Sequence, residues 1–471
     1  MLAVRYPGLD RLAWRLLLAG LWLHLLLSAH GLLTLGYPYE APLLGPFPFK
    51  IHPGTYLVAL ALLTALAARG HPLRAAWVAA RAEPLLAIHL GVMVGCLAWV
   101  IWRHGTSGAA FIVDTHWLPA MMALALWHMD DRRRAVLLRV LAVFIAANAL
   151  IALGENALGQ RLVPLYLQGQ ASGFAAEDHF RSSALMGHPL TSAKVTAMLL
   201  PLALLLPMRA TWRWVHVALL LLSMLAFGGR AALGISVVVY GSWAVISMLA
   251  RLVQGRYSYL QLTGGTVLLL LAVSLLAGVV IVTGLGERIF ASLYLDNSAS
   301  VRLRVWQAYD FVSAEQLWFG ISAREIDGVA LQLGLDPDYE AIENGWIYLS
   351  LQFGLVVFVF WLIGFGCLVF WLMRQAPGLV AAGVVVYLIT ASTSNSFASK
   401  TITQGLVVAY VVGAAAQRRQ EGRARLLAAA QAQAWKGRRA GMPAAPAVPA
   451  WGRALTSSRA GVNGLGQGRT A

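Results

Sequence analysis

The sequence predicts an all-α polytopic membrane protein. Three observations carry that expectation. Of 471 residues, 59% are hydrophobic and only 12% are charged, about half the roughly 25% typical of soluble chains. The apolar residues lie in long runs near the ~20 residues needed to cross a bilayer. Those runs are continuous rather than alternating. This points to helices, whose backbone bonds close within the segment, and away from a β-barrel.

In chain order, about twelve spans are expected. They lie near 12–35, 54–68, 85–102, 109–128, 135–153, 189–208, 213–229, 231–250, 263–285, 346–372, 378–397 and 402–417. The first is too long for a signal peptide and lacks a small-residue cleavage site. Basic residues set the sidedness. Arg5, Arg11 and Arg15 precede the first span, and Arg69, Arg74 and Arg81 follow the second. Arg132, Arg133 and Arg134 follow the fourth, Arg209 and Arg213 the sixth, Arg251 and Arg256 the eighth, and Arg374 the tenth. Every second loop is basic, which places both termini in the cytoplasm. The alternate loops face outward. Two of them are long, 154–188 and 286–343, the latter between the ninth and tenth spans. Residues 1–417 therefore read as one membrane-embedded unit. The remainder, 418–471, is a basic cytoplasmic tail with ten Arg and Lys against one acid, Glu421. Its first part, 418–439, fits a basic interfacial helix touching anionic lipid. Its Pro/Ala/Gly/Ser-rich remainder predicts disorder, so the tail is expected to be largely disordered.

The formal charge of +16 does not predict nucleic-acid binding, because the arginines sit at helix ends and in the tail. Cys96 and Cys367 lie in apolar segments and read as packing residues. No P-loop, dinucleotide fingerprint, HExxH or CxxC motif is present. A polysaccharide or lipid transporter would call for inverted halves and midplane ionisable groups. The sequence shows no repeat, and Asp114 is the one carboxylate near a span start. A non-catalytic membrane scaffold is a further alternative. His24, His30, His89, His116 and His128 lie in or at spans without metal-ligand spacing, so structural roles are expected for them.

Four outward groups carry candidate chemistry. Arg181 leads a run through His188 and Pro189 into a span, where free helix N–H groups favour an anion. Its plainer reading is a loop arginine paired with Glu177 or Asp178. Gly228-Gly229-Arg230 puts a charge at a span junction beside residues that admit close backbone approach. The plainer reading there is a snorkelling arginine at a turn. Arg302 and Arg304 precede Trp306 in the long loop, which carries ten acids and four arginines, so ion pairing within the loop is the alternative. On a helix these two arginines diverge by about 200°. Glu343-Asn344-Gly345-Trp346 opens a span and offers either a general base or an N-terminal cap.

Taken in order, "RSSALMGHPLTSA", "GGRAAL", "RLRVW" and "ENGWIYLSLQFGLVV" resemble the bacterial O-antigen ligase and Wzy-type O-antigen or exopolysaccharide polymerase superfamily. The likeness covers about 181–357. It implies a GT-C-like fold and an inverting, metal-independent glycosyltransferase without cofactor in the bacterial inner membrane, acting on the periplasmic face. It also implies an undecaprenyl-diphosphate-linked glycan donor, a glycan or lipid-linked acceptor, and other polysaccharide-assembly proteins as candidate partners. By the same likeness Arg181, Arg230 and Arg302 bind the diphosphate, with Arg304 as a substitute, because guanidinium forks match phosphate oxygens. Glu343 is the candidate base, supported by His188, Asn344 and Trp306. The resembling ligases carry His before Asn or Ser where this chain has Glu343-Asn344. That departure favours a polymerase over the ligase alternative, in which polymer is joined to lipid A-core.

Overall fold

The computed structural model describes residues 4–39, 46–106, 108–167, 170–171, 180–255, 304–335 and 342–439. The expected ninth span, Arg302, parts of both long loops and the tail from 440 onward lie outside them. The described structure is helical apart from a two-residue antiparallel pairing of Tyr166–Leu167 with Gln170–Ala171.

The N-terminal part comprises α1 (Pro7–Leu26), α2 (Ala29–Thr34), α3 (Pro53–Ala67), α4 (Pro72–Ala82), α5 (Pro84–His104), α6 (Leu118–Trp127) and α7 (Asp131–Leu158). Next come α8 (Pro189–Leu199), α9 (Leu202–Leu205), α10 (Ala210–Ala226) and α11 (Arg230–Val253). The C-terminal part holds α12 (Ala314–Phe319), α13 (Ala323–Gln332), α14 (Gly345–Gln375), α15 (Leu379–Ser392) and α16 (Thr403–Arg439). Proline opens α1, α3, α4, α5 and α8, where its missing N–H costs nothing.

Each expected span within the described residues falls on helix, but the helices do not establish twelve crossings. Among the described residues, α5, α7, α11 and α14 are long and apolar enough to cross a membrane. The pair α3–α4, bent by 104°, gives a fifth if it is one span. The expected first span is broken at Leu27 and Ser28, between α1 and α2. The boundary drawn at 417 falls inside a helix, since α16 runs on to Arg439.

One main core joins α1, α3, α5, α6, α7, α8, α14, α15 and α16. Around it the chain has two distinct ends. At one, Asp10 pairs with Arg69 (3.4 Å) and Arg133 (2.5 Å), and Asp131 pairs with Arg134 (3.3 Å) and Arg419 (2.8 Å). All four basic segments involved were expected on one side. At the other end lie the segments expected to face outward and the cavities described below.

Residues 305–335 form a cap with its own small core. Val305, Ala308, Ile321, Ile326 and Val329 pack against Ile347 and Leu351 at the start of α14. The cap seats on a break in α14 at Gly354, whose φ of +70° is non-helical. The carbonyls freed there find new donors. Leu351 O accepts from Ile321 N (2.8 Å), and Gln352 O contacts His104 Nε2 (3.2 Å).

Candidate functional site

The loop led by Arg181 is anchored from below by α7. Glu155 is buried, and one of its oxygens accepts from the Ser183 and Ala184 N–H groups, both at 2.9 Å. Its other oxygen accepts from Leu162 N (2.8 Å), while Asn148 Oδ1 accepts from Leu185 N (3.0 Å). A carboxylate taking three backbone donors satisfies a loop that has no ladder of its own. Ser182 N then bonds Ala226 O (3.1 Å), and Arg181 Nε reaches Phe227 O (3.4 Å). These two bonds join the first candidate motif to the second.

The Gly228-Gly229 turn explains how they fit. Gly228 has φ of +64°, and a side chain there would meet Arg181 Nε at 3.4 Å. A side chain at Gly229 would run into Ala193 of α8. The turn thus lets Arg181 lie over one glycine while α8 closes on the other. Arg230 follows at the start of α11, whose N-terminal N–H groups carry partial positive charge. A cavity of about 220 Å³ opens here, lined by Arg181, Arg230, Ala231, Ala232, Lys194 and Glu343. Among the described residues, three cations and one carboxylate line it, beside a helix N-terminus.

Lys194, which the sequence reading did not select, is the buried member of this set. It is 5% exposed, and its ammonium donates to Ser394 Oγ at 3.0 Å. An ammonium in the apolar run of α8 is costly unless it serves a polar partner or cavity. Its position inside an apolar run was the available signal.

A larger cavity of about 400 Å³ adjoins the first, and Leu190, Lys194, Glu343 and Ser394 line both. His188 lines the larger one. It caps α8, with Nδ1 accepting from Leu190 N (3.2 Å), which leaves the ring proton on Nε2 as a donor. The ring is open to the cavity yet lies deep in the protein. That depth, with Arg181 and His30 nearby, lowers its pKa to about 3. The cavity floor is Asp114, 1% exposed, which accepts from Thr55 Oγ1 (2.6 Å), Tyr39 OH (2.8 Å) and His52 N (3.0 Å). His24 and His30, expected to be structural, also line this cavity. His89 and His116 instead lie buried on backbone carbonyls.

Arg181, Arg230, Glu343 and His188 are therefore brought together. The other described candidates are not. Arg304 and Trp306 are exposed on the cap and line neither cavity. Asn344 caps α14, its Oδ1 accepting from Trp346 N (3.0 Å) and Ile347 N (3.3 Å). That hydrogen bonding gives it a capping role and leaves Glu343, one residue earlier, at the cavities.

No family model matches this chain, and no curated protein matches it.

Proposed function

We propose that the chain is a multi-pass glycosyltransferase of the bacterial inner membrane that transfers or polymerises an undecaprenyl-diphosphate-linked glycan on the periplasmic face. The observation that carries this reading is the convergence of Arg181, Arg230 and Lys194 on one cavity edged by Glu343. A diphosphate leaving group accumulates negative charge as its bond to the sugar breaks. Fixed cations in a water-poor site stabilise that charge most strongly. In the proposed step an acceptor hydroxyl oxygen attacks the anomeric carbon as the bond from that carbon to the diphosphate breaks, with inversion. Glu343 takes the hydroxyl proton, and the carrier departs as undecaprenyl diphosphate. The GT-C-like arrangement of about twelve spans, with both termini cytoplasmic, belongs to the same proposal.

The test is the surface-glycan profile of a deletion strain complemented with wild type or Arg230→Ala. A polymerase predicts single repeat units on core, or loss of long exopolysaccharide, in the deletion strain. The ligase alternative, for which Asn344 is retained at the family position, predicts polymer accumulating on the carrier. Arg230→Ala at normal expression should fail to restore product. Normal glycans in the deletion strain would remove both assignments.

A further inference from the structure

The diphosphate chemistry engages the larger cavity only at the shared wall. Its 400 Å³ falls within the range of about 300–1,000 Å³ usual for small-ligand sites. Its charge balance differs from that of its neighbour. Among the described residues, Lys194 and Lys400 face Glu343 and Asp114, two cations against two carboxylates. The smaller cavity sets three cations against one carboxylate. Lys400 is already engaged: its ammonium donates to Tyr39 O and stands 4.5 Å from the Tyr39 ring centre.

One wall is the loop between α15 and α16, which supplies Ser394, Asn395, Ser396, Ser399 and Thr401. Asn395 Oδ1 is buried and has no hydrogen-bond partner among the described residues. Tyr166 also lines the cavity with a partly exposed ring, whereas the Tyr39 ring is buried beneath Lys400. Neutral donors and acceptors beside a flat ring suit a molecule whose groups each donate and accept, and whose ring faces are apolar. A phosphate or carboxylate is better served next door.

We propose that the larger cavity holds the acceptor, a neutral polyhydroxylated saccharide end, and presents one of its hydroxyls to Glu343 at the shared wall. This assignment rests on the glycosyltransferase reading. The smaller cavity then holds the donor diphosphate, and Lys194 and Glu343 stand where the two substrates meet.

The experiment uses the full-length protein in nanodiscs with two probes. One is undecaprenyl diphosphate. The other is a neutral oligosaccharide fraction released from the producing strain's own surface polysaccharide. Asn395→Ala removes an atom without a partner, and Asn395→Trp fills the cavity from the same position. Both should weaken oligosaccharide binding by about tenfold or more and leave undecaprenyl diphosphate binding unchanged. Arg230→Ala should do the reverse. Oligosaccharide binding that is absent, or indifferent to both Asn395 variants, overturns the acceptor assignment and leaves the donor reading intact. Loss of undecaprenyl diphosphate binding in the Asn395 variants overturns it as well. Wild-type protein that binds the oligosaccharide through Asn395 but not undecaprenyl diphosphate removes the glycosyltransferase reading instead.

Discussion

Lys194 stands at the wall between the two cavities, and its hydrogen bond to Ser394 (3.0 Å) makes it the clearest residue to vary. A buried ammonium is costly to hold, and methionine fills similar space without the charge. Lys194→Met should therefore keep the protein folded while product formation falls roughly a hundredfold, the usual effect of removing one charge-stabilising group. Full activity in folded Lys194→Met would remove it from the site. Glu155 acts differently, because it touches the Arg181 loop and not the cavities. Glu155→Ala leaves three backbone donors without their acceptor, each costing about 1–3 kcal/mol where burial is complete. A lowered melting temperature is expected, with Glu155→Gln intermediate because one oxygen remains. His188 supplies a pH signature. Its folded pKa of about 3 lies below the ordinary 6.5, so on acidification the unfolded chain takes up a proton that the folded chain refuses. Stability tied to this ring is whole above pH 6.5 and is lost as pH falls toward 3. His188→Gln should flatten that decline in melting temperature, and an unaltered slope counts against the assignment.

At the scale of elements, the break in α14 decides where the cap can sit. A side chain at Gly354 would strike the Gly320 N and the Trp318 carbonyl of the cap, and the φ of +70° there disfavours any residue with a Cβ. Gly354→Ala is expected to destabilise by about 2–4 kcal/mol on those two grounds together. The first sign should be faster proteolysis within 305–335, because the docked cap loses its seat. Unchanged protection of the cap would show that the seat tolerates a methyl group. The sequence announced the long loop through its charge, but not its internal packing. The apolar residues of α13 are few, and their partners Ile347 and Leu351 lie in what reads as the start of a span. Asn344 shows a similar limit. A carboxylate and an amide in adjacent positions before a span both fit a cap, and only the hydrogen bonds from Trp346 and Ile347 assign that task to the amide.

At the scale of the molecule, the ion pairs of Asp10 and Asp131 gather at one end and the two site cavities at the other. Sidedness is directly testable with both native cysteines, Cys96 and Cys367, replaced by alanine. A membrane-impermeant thiol reagent added to intact spheroplasts should label Ser322→Cys on the cap and leave Gly422→Cys in α16 unlabelled. The opposite pattern would invert the proposed topology. The sequence by itself determined the helical class, the positions of most apolar helices and the grouping of basic segments at one end. Those properties are local: each segment's transfer to an apolar phase depends on its own side chains. It also selected Arg181, Arg230, Glu343 and His188, since arginine or carboxylate beside a helix start is visible in a short window. It marked Asp114 as a carboxylate near a span start without placing it in a cavity, and it missed Lys194 and the Ser394–Thr401 wall. Only tertiary packing decided these, because a cavity is made by segments far apart in the chain, and Lys194 meets Ser394 across 200 residues. A polar residue in an apolar helix has the same local hydropathy whether it faces lipid, a neighbour or a cavity, and the fold alone fixes which of these it faces.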